Sequence, residues 1–410
     1  MASPTSALNS YLARSHGRLQ EVVQKGIVCS DGPIHIVLGN EAADPDSCVC
    51  AIALAAALDK TLDGPLVVPM ISVPRADFKL QLDRVHLLRR AGLIGGGEGP
   101  LWTPDHVSFS DELSLEKLSA HSLKVHLVDH NKLSAPYASI APCVTSITDH
   151  HADEEQYTQT VSASDRLVEL GVGSCASLVA ERIQALHAPL LTDPSLCTML
   201  LGAILLDTVN LDPSAKAQKP REAPIADEML LGPAASLLNV AATAEGRAAF
   251  FAELLAVKAD TALLLRFPME DLLRQDYKEE QLPTGGQGGG VKVGVGSVVL
   301  PLPALLSRQP SPDLAREMSA YATARGLQLL LLMSVDLPAR QRYVLLHCDD
   351  QLLREEAIRL MDSLSLTPMA MDAADGGAAG LLAFEVGNYS VSRKVLMPIL
   401  RGLAAPKPAL

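Results

Sequence analysis

The chain is poor in aromatic residues, which make up 3% of its 410 positions. Its cores must therefore be filled by Leu, Val, Ile and Ala, and it offers little surface on which a nucleobase could stack. Basic excess is missing too. Lys and Arg number 34 against 47 Asp and Glu, a formal net charge of -13. That balance argues against a nucleic-acid binder, which needs a cationic footprint, yet leaves room for an anionic substrate held through a bound cation. No CxxC pair occurs among the seven cysteines Cys29, Cys48, Cys50, Cys143, Cys175, Cys197 and Cys348. Odd in number and scattered, they read as reduced thiols, and Cys48-Val49-Cys50 is too tight for a zinc knuckle. The N-terminal MASPTSALNSYLARSHGR lacks the apolar core of a signal peptide, and no run approaches the ~18 apolar residues of a membrane span. The expectation is a soluble, cytoplasmic protein with no membrane or nucleic-acid partner.

What is present is ample apolar material, 48% of the chain, enough for two domains at roughly 100–200 residues each. A helical lead-in, Leu8 to Val23, precedes the first strand-like run, Ile34 to Leu38. The loop NEAADPD follows, and then an Ala- and Leu-rich helix from Ser47 to Leu58. The pattern recurs with strand-like runs Leu66 to Val73, Leu123 to Val128 and Val144 to Thr148, a helix Ser174 to Ala185, and an apolar segment Met199 to Leu206. Strands alternating with helices predict an α/β fold with a mostly parallel, helix-flanked sheet. The polar, Pro-bearing stretch 212–224 reads as a connector, which places a domain boundary near residue 225: 1–225, then 226–410. In the second part, helices (Ile225 to Leu238, Arg247 to Leu265) precede strands Val291 to Val299, Gln328 to Val335, Tyr343 to His347 and Leu381 to Glu385, a smaller α/β domain. GGQGGG at 285–290 lacks the Lys-Ser/Thr of a phosphate-binding P-loop and reads as a flexible turn.

Four acidic or histidine groups each follow an apolar, strand-like run: Asp44 and Asp46 (with Asn40 just before), Asp129-His130, Asp149-His150-His151, and Asp207. Singly, an Asp after a strand is commonly a turn or helix-capping residue. Together they would converge on one edge of a parallel sheet, where carboxylates repel unless cations balance them. Oxygen-rich ligands with one or two imidazoles suit Mg²⁺ or Mn²⁺.

The order G-N-E-A-A-D-P-D-S (39–47), L-V-D-H-N (127–131), D-H-H (149–151) and L-L-D (205–207) resembles the four motifs of the DHH phosphoesterases. V-G-S-C-A-S-L (172–178) resembles that family's helix start between its third and fourth motifs. V-S-R-K (391–394) resembles the phosphate-binding signature of the DHHA2-type second domain of family II pyrophosphatases and of the exopolyphosphatase and Prune branch. The resemblance implies that Asp44, Asp46, Asp129, His150 and Asp207 ligate two divalent cations, with Asp129 bridging. It implies that Asp149 supports an imidazole, that His151, Arg393 and Lys394 face phosphate, and, through a looser match, that Lys258 does so as well. Asn40 stands where family II pyrophosphatases carry His, as in the exopolyphosphatase branch, and should favour Mg²⁺ over Mn²⁺. The implied activity is exopolyphosphatase: water activated by two metals removes terminal phosphate from inorganic polyphosphate or short phosphate chains, in a cleft between the domains. A pyrophosphatase, a cyclic-nucleotide phosphodiesterase and a non-enzymatic Prune-like scaffold remain open as alternatives.

Overall fold

The computed structural model describes residues 6–25, 32–119, 123–214, 221–283, 290–309, 311–371 and 380–404. It divides into two compact units, Met1–Val257 and Lys258–Leu410.

In the first unit, α1 (Ala7–Lys25) precedes β1 (Ile34–Leu38), α2 (Pro45–Thr61), β2 (Leu66–Ile71) and α3 (Leu82–Arg90). Then come β3 (Ser108–Phe109), β4 (Leu123–Val128), β5 (Val144–Asp149), β6 (Arg166–Val168), α4 (Cys175–His187) and α5 (Pro194–Asp207). The sheet order is β3-β2-β1-β4-β5-β6, and every pairing is parallel. Chain order runs outward from β1 in both directions, so the crevice beyond the carboxyl ends of β1 and β4 is a topological switch point, where open α/β sheets bind ligands. Leu38 pairs with both Met70 and Leu127, which levels the ends of the three central strands. The residues after them therefore emerge side by side. β3 and β6 went unread because two and three residues carry no period.

Both faces are covered. Ile36, Leu38, Val125, Leu127 and Ile147 pack in one cluster, and Val37 and Val128 join α2, α4 and α5 in the other. α2 is buried continuously from Pro45 to Leu58, which its run of alanines permits because neighbours can approach its backbone on every side. The apolar segment ending at Asp207 is not strand-like. It is the helix α5, started by Pro194 at its first turn and by Asp193, whose carboxylate accepts from the Ser195 and Leu196 N–H groups. A helix apolar all round is a buried helix, and periodicity alone does not tell it from a buried strand.

The polar stretch 212–224, of which 215–220 lie outside the described residues and Glu222–Pro224 are helical, falls within the first unit and not at its boundary. The helical segments after it return to the same core through Ile225, Leu230, Leu231, Leu238, Phe250 and Leu254. Glu253 pairs with Arg90 at 2.7 Å and His86 at 2.6 Å. Burial of these apolar side chains moves the division from near 225 to Val257.

The second unit carries a mixed sheet of β7 (Tyr277–Leu282), β8 (Val291–Val298), β9 (Leu329–Asp336), β10 (Gln341–His347), β11 (Leu366–Pro368) and β12 (Leu381–Val386). Its order is β11-β12-β10-β9-β8-β7, with only β8 and β9 parallel. Val293, Val295, Leu331, Val344 and Leu346 pack with Leu396 and Leu400 of α6 (Arg393–Leu400). β7 escaped the sequence reading because it is a charged edge strand, Y-K-E-E-Q-L. The GGQGGG segment lies outside the described residues except for Gly290. The six described cysteines are all free. Among the described residues no helix is long and apolar enough to cross a membrane.

Candidate metal centre

The site begins with the loop after β1. Gly39 must be glycine, since a Cβ there would collide with Ser47. Asn40 organises the turn: its side-chain oxygen accepts from Ala42 N (2.9 Å) and Ala43 N (3.1 Å), and its amide donates 2.8 Å to Asp129 Oδ2. That bond crosses the switch point. Asp44 caps α2, accepting from Ser47 N at 3.0 Å, with Pro45 preset for the first turn.

Asp129 is 2% exposed and holds a left-handed backbone, φ 61°, that is uncommon outside glycine. Its N–H donates to the Thr148 carbonyl at 3.0 Å, bridging the ends of β4 and β5. Its Oδ1 is buried and, among the described residues, has no hydrogen-bond partner. That oxygen lies 3.3 Å from His150 Nε2 and 3.8 Å from His151 Nδ1. Burial drives the Asp129 carboxyl well above the usual carboxylate range, and repulsion from Asp46, Asp44 and Asp207 adds to it.

His150 Nδ1 sits 3.0 Å from the Val172 carbonyl. A carbonyl only accepts, so Nδ1 carries the proton and the Nε2 lone pair is turned toward Asp129. Asp149, wholly buried, accepts from His151 Nδ1 (2.8 Å), the His150 N–H (2.8 Å) and Asn131 Nδ2 (2.5 Å). Burial alone would raise its pKa, but the bonds from His151 and Asn131 outweigh it, and the net shift is downward. The imidazole that Asp149 orients is thus that of His151, while a backbone carbonyl orients His150.

Asp46 is engaged by another element. Its carboxylate accepts from Ser174 Oγ (3.0 Å), Cys175 N (2.7 Å) and Ala176 N (2.9 Å), the amino-terminal turn of α4. It still faces the centre, 4.0 Å from His150 Nε2. Asp207 ends α5 and acts electrostatically on Asp129. After it, Val209, Asn210 and Leu211 are all left-handed, with φ of 50°, 57° and 66°.

Sequence reasoning placed Ser174 at a helix start but gave it no part in the site, and it missed three further supports: Asn131, the Val172 carbonyl and Glu222, whose carboxylate accepts from Gly173 N at 2.6 Å. Asn131 closes the string D-H-N and was within reach of the reading. A backbone carbonyl leaves no trace in residue identity.

Lys258 closes a helix, Ala244–Lys258, and is half-buried. On the second unit, Arg393 donates from Nη1 to the Asp276 carbonyl at 2.8 Å and pairs through Nη2 with Asp276 Oδ1 at 2.7 Å. Lys394 beside it is exposed. Both open α6, whose cap Ser392 makes no side-chain bond to the first turn.

Asp129, His150 and His151 each offer a ligand atom, all within 4.8 Å of one another. A buried carboxylate oxygen without a hydrogen bond, beside an imidazole lone pair, fits a divalent cation, and the oxygen and nitrogen donors suit a hard or borderline ion.

Comparison with known proteins gives a consistent picture. Residues 35–205 match the model of the DHH family, N-terminal domain, and residues 252–403 match the DHHA2 domain. Exopolyphosphatase PRUNE1 of Mus musculus is 30% identical over 376 residues, 90% of this chain and 75% of that protein. The Bos taurus PRUNE1 is 30% identical over 402 residues, 96% of this chain and 79% of that protein. Among solved structures, the “putative family II inorganic pyrophosphatase” of Methanococcus jannaschii shares the fold, with a TM-score of 0.55 at 19% identity over 90% of this chain and 99% of that one.

Proposed function

The chain belongs to the DHH superfamily, in its Prune-like branch with a DHHA2 second domain, and on that premise we propose that it is a metal-dependent exopolyphosphatase. The substrate is inorganic polyphosphate or a short phosphate chain, from which terminal phosphate is released.

The observation that carries this reading is Asp129, whose buried Oδ1 has no hydrogen bond among the described residues and lies 3.3 Å from His150 Nε2. Asp129 with Asp44, Asp46, His150 and Asp207 would hold Mg²⁺ or Mn²⁺, two ions in the family pattern. Bound cations supply Lewis-acid charge and a water of lowered pKa. The chain's own residues do the rest. Asn40 keeps the Asp129 carboxylate in place through its 2.8 Å bond. Asp149 fixes the His151 ring by accepting from Nδ1, so that Nε2, when it too carries a proton, donates to a phosphate oxygen. Arg393 and Lys394 hold phosphate oxygens. Arg393 suits this because a planar guanidinium binds them in pairs, and Asp276 already fixes its orientation.

The test is phosphate release from pyrophosphate, tripolyphosphate, long polyphosphate and cyclic AMP, side by side, with Mg²⁺ or Mn²⁺. Turnover of tripolyphosphate and long polyphosphate is expected. Activity confined to pyrophosphate would make the chain a pyrophosphatase, and none on any substrate would leave the scaffold reading.

A further inference from the structure

The loop carrying Asn40 and Asp44 is held from behind by a residue in no motif. Arg84, on α3, is 1% exposed. Its Nη1 donates to the Ala43 carbonyl, and its Nη2 to the carbonyls of Phe78 (2.6 Å) and Asp77 (3.1 Å). The guanidinium also lies over the Phe78 ring, 4.5 Å from its centroid. One turn earlier, Gln81 Nε2 donates 3.1 Å to the Ala42 carbonyl. Two side chains at the start of one helix thus grip two successive carbonyls of the loop. The N–H groups of Ala42 and Ala43 meanwhile point to Asn40 Oδ1.

The turn needs that grip. Ala43 sits at φ 46°, in the left-handed region, and a non-glycine residue stays there only where its surroundings over-determine it. Ala43 is adjacent to Asp44, so release of its carbonyl would let the turn relax and swing the carboxylate. Burying a guanidinium is costly without acceptors. These three acceptors are main-chain carbonyls: the cation is aimed at backbone, and part of that backbone is the loop.

We propose that Arg84 and Gln81 are positioning residues for the metal loop, fixing Ala42 and Ala43 so that Asn40 and Asp44 are preset before a cation binds. The proposal rests on the reading of the Asp129 group as a metal centre. Two charge-conserving substitutions separate position from field: Gln81→Ala removes one grip, and Arg84→Lys keeps the cation but loses the fork.

The experiment is Mn²⁺ titration of the full chain by calorimetry without substrate, alongside thermal unfolding and steady-state kinetics on tripolyphosphate. Supports behind metal ligands typically contribute about 10–100-fold in affinity. Arg84→Lys should therefore raise the Mn²⁺ Kd by roughly that factor and Gln81→Ala by less, with KM at saturating Mn²⁺ unchanged. A merely structural role would lower the unfolding temperature and leave the Kd of the folded protein unmoved, and that result overturns the proposal. If Arg84→Lys does not fold, Gln81→Ala decides alone. Asp129→Asn is the control. Should it bind Mn²⁺ as the unsubstituted chain does, the metal-centre reading itself fails; should it lose Mn²⁺ while both other variants keep it, only the positioning role fails.

Discussion

Asp129 and Arg393 make the sharpest contrast at the scale of single residues. Asp129 has an oxygen with no hydrogen bond among the described residues, whereas Arg393 is held at two points by Asp276. Asp129→Asn should weaken Mn²⁺ binding and abolish turnover, as read by calorimetry and phosphate release. Arg393→Ala should leave Mn²⁺ binding intact and lower kcat/KM by about 10²–10³-fold, the usual cost of losing a charge-assisted contact made in the transition state. If tripolyphosphate turnover is near normal in that variant, the Asp276 pair is all that Arg393 does. Asn40→His should raise activity with Mn²⁺ relative to Mg²⁺, because imidazole is the softer ligand; an unchanged ratio would restrict Asn40 to its turn-forming bonds. The places of Asp129, Asp149 and His150 at strand ends were legible because each follows a short apolar run whose end fixes its position, whereas their roles rest on the proposal. The role of Asp46 was only half legible. Its bonds to Ser174, Cys175 and Ala176 are contacts across more than a hundred residues, and no local pattern encodes them.

Asp46 also acts at the scale of elements, as a remote cap. A carboxylate from α2 satisfies N–H groups at the start of α4, where it also meets the positive end of the helix dipole. Asp46→Ala should thus lower stability even without metal, by about 1–2 kcal/mol, the range of a lost cap. Thermal unfolding in chelator would show it, and an unchanged midpoint would limit Asp46 to ligation. Elements were readable where their period was long. α1, β1, β2, β4 and β5 stand where apolar runs placed them. α5 was misread because a helix apolar on every side has the composition of a buried strand. β7 was missed because an edge strand can be polar along most of its length.

For the molecule as a whole, each unit has its own apolar core, and the second has its own acid sensitivity. Glu279 on β7 is partly buried, which alone would raise its pKa, but bonds from Lys292, Arg325 and Tyr277 depress it from 4.5 to about 2. A depressed carboxylate contributes stability fully above its unfolded value, and that stability is lost as pH falls from about 4.5 toward 2. Glu279→Gln should flatten the pH dependence of unfolding in that window and leave the neutral-to-alkaline limb unchanged; an unaltered acid limb would show that Glu279 is not its source. The position of the boundary was the least legible feature at this scale. A polar, Pro-bearing stretch need not mark a boundary, and only the burial of Leu231, Leu238, Phe250 and Leu254 shows which core the following helices join.

The continuous burial of α2 bears on inherited variation. Ala51, Ala53, Ala55 and Ala57 are wholly enclosed, so a larger side chain at any of them would press on packed neighbours. Exchanging one for Val or Thr would overfill the core at a cost of about 1–3 kcal/mol, a large share of the roughly 5–15 kcal/mol that holds a domain folded. A clinician or geneticist searching for harmful changes near the aspartates and histidines would pass over these alanines. They sit within three turns of Asp46, where a conservative-looking exchange acts through the amount of folded protein rather than through chemistry.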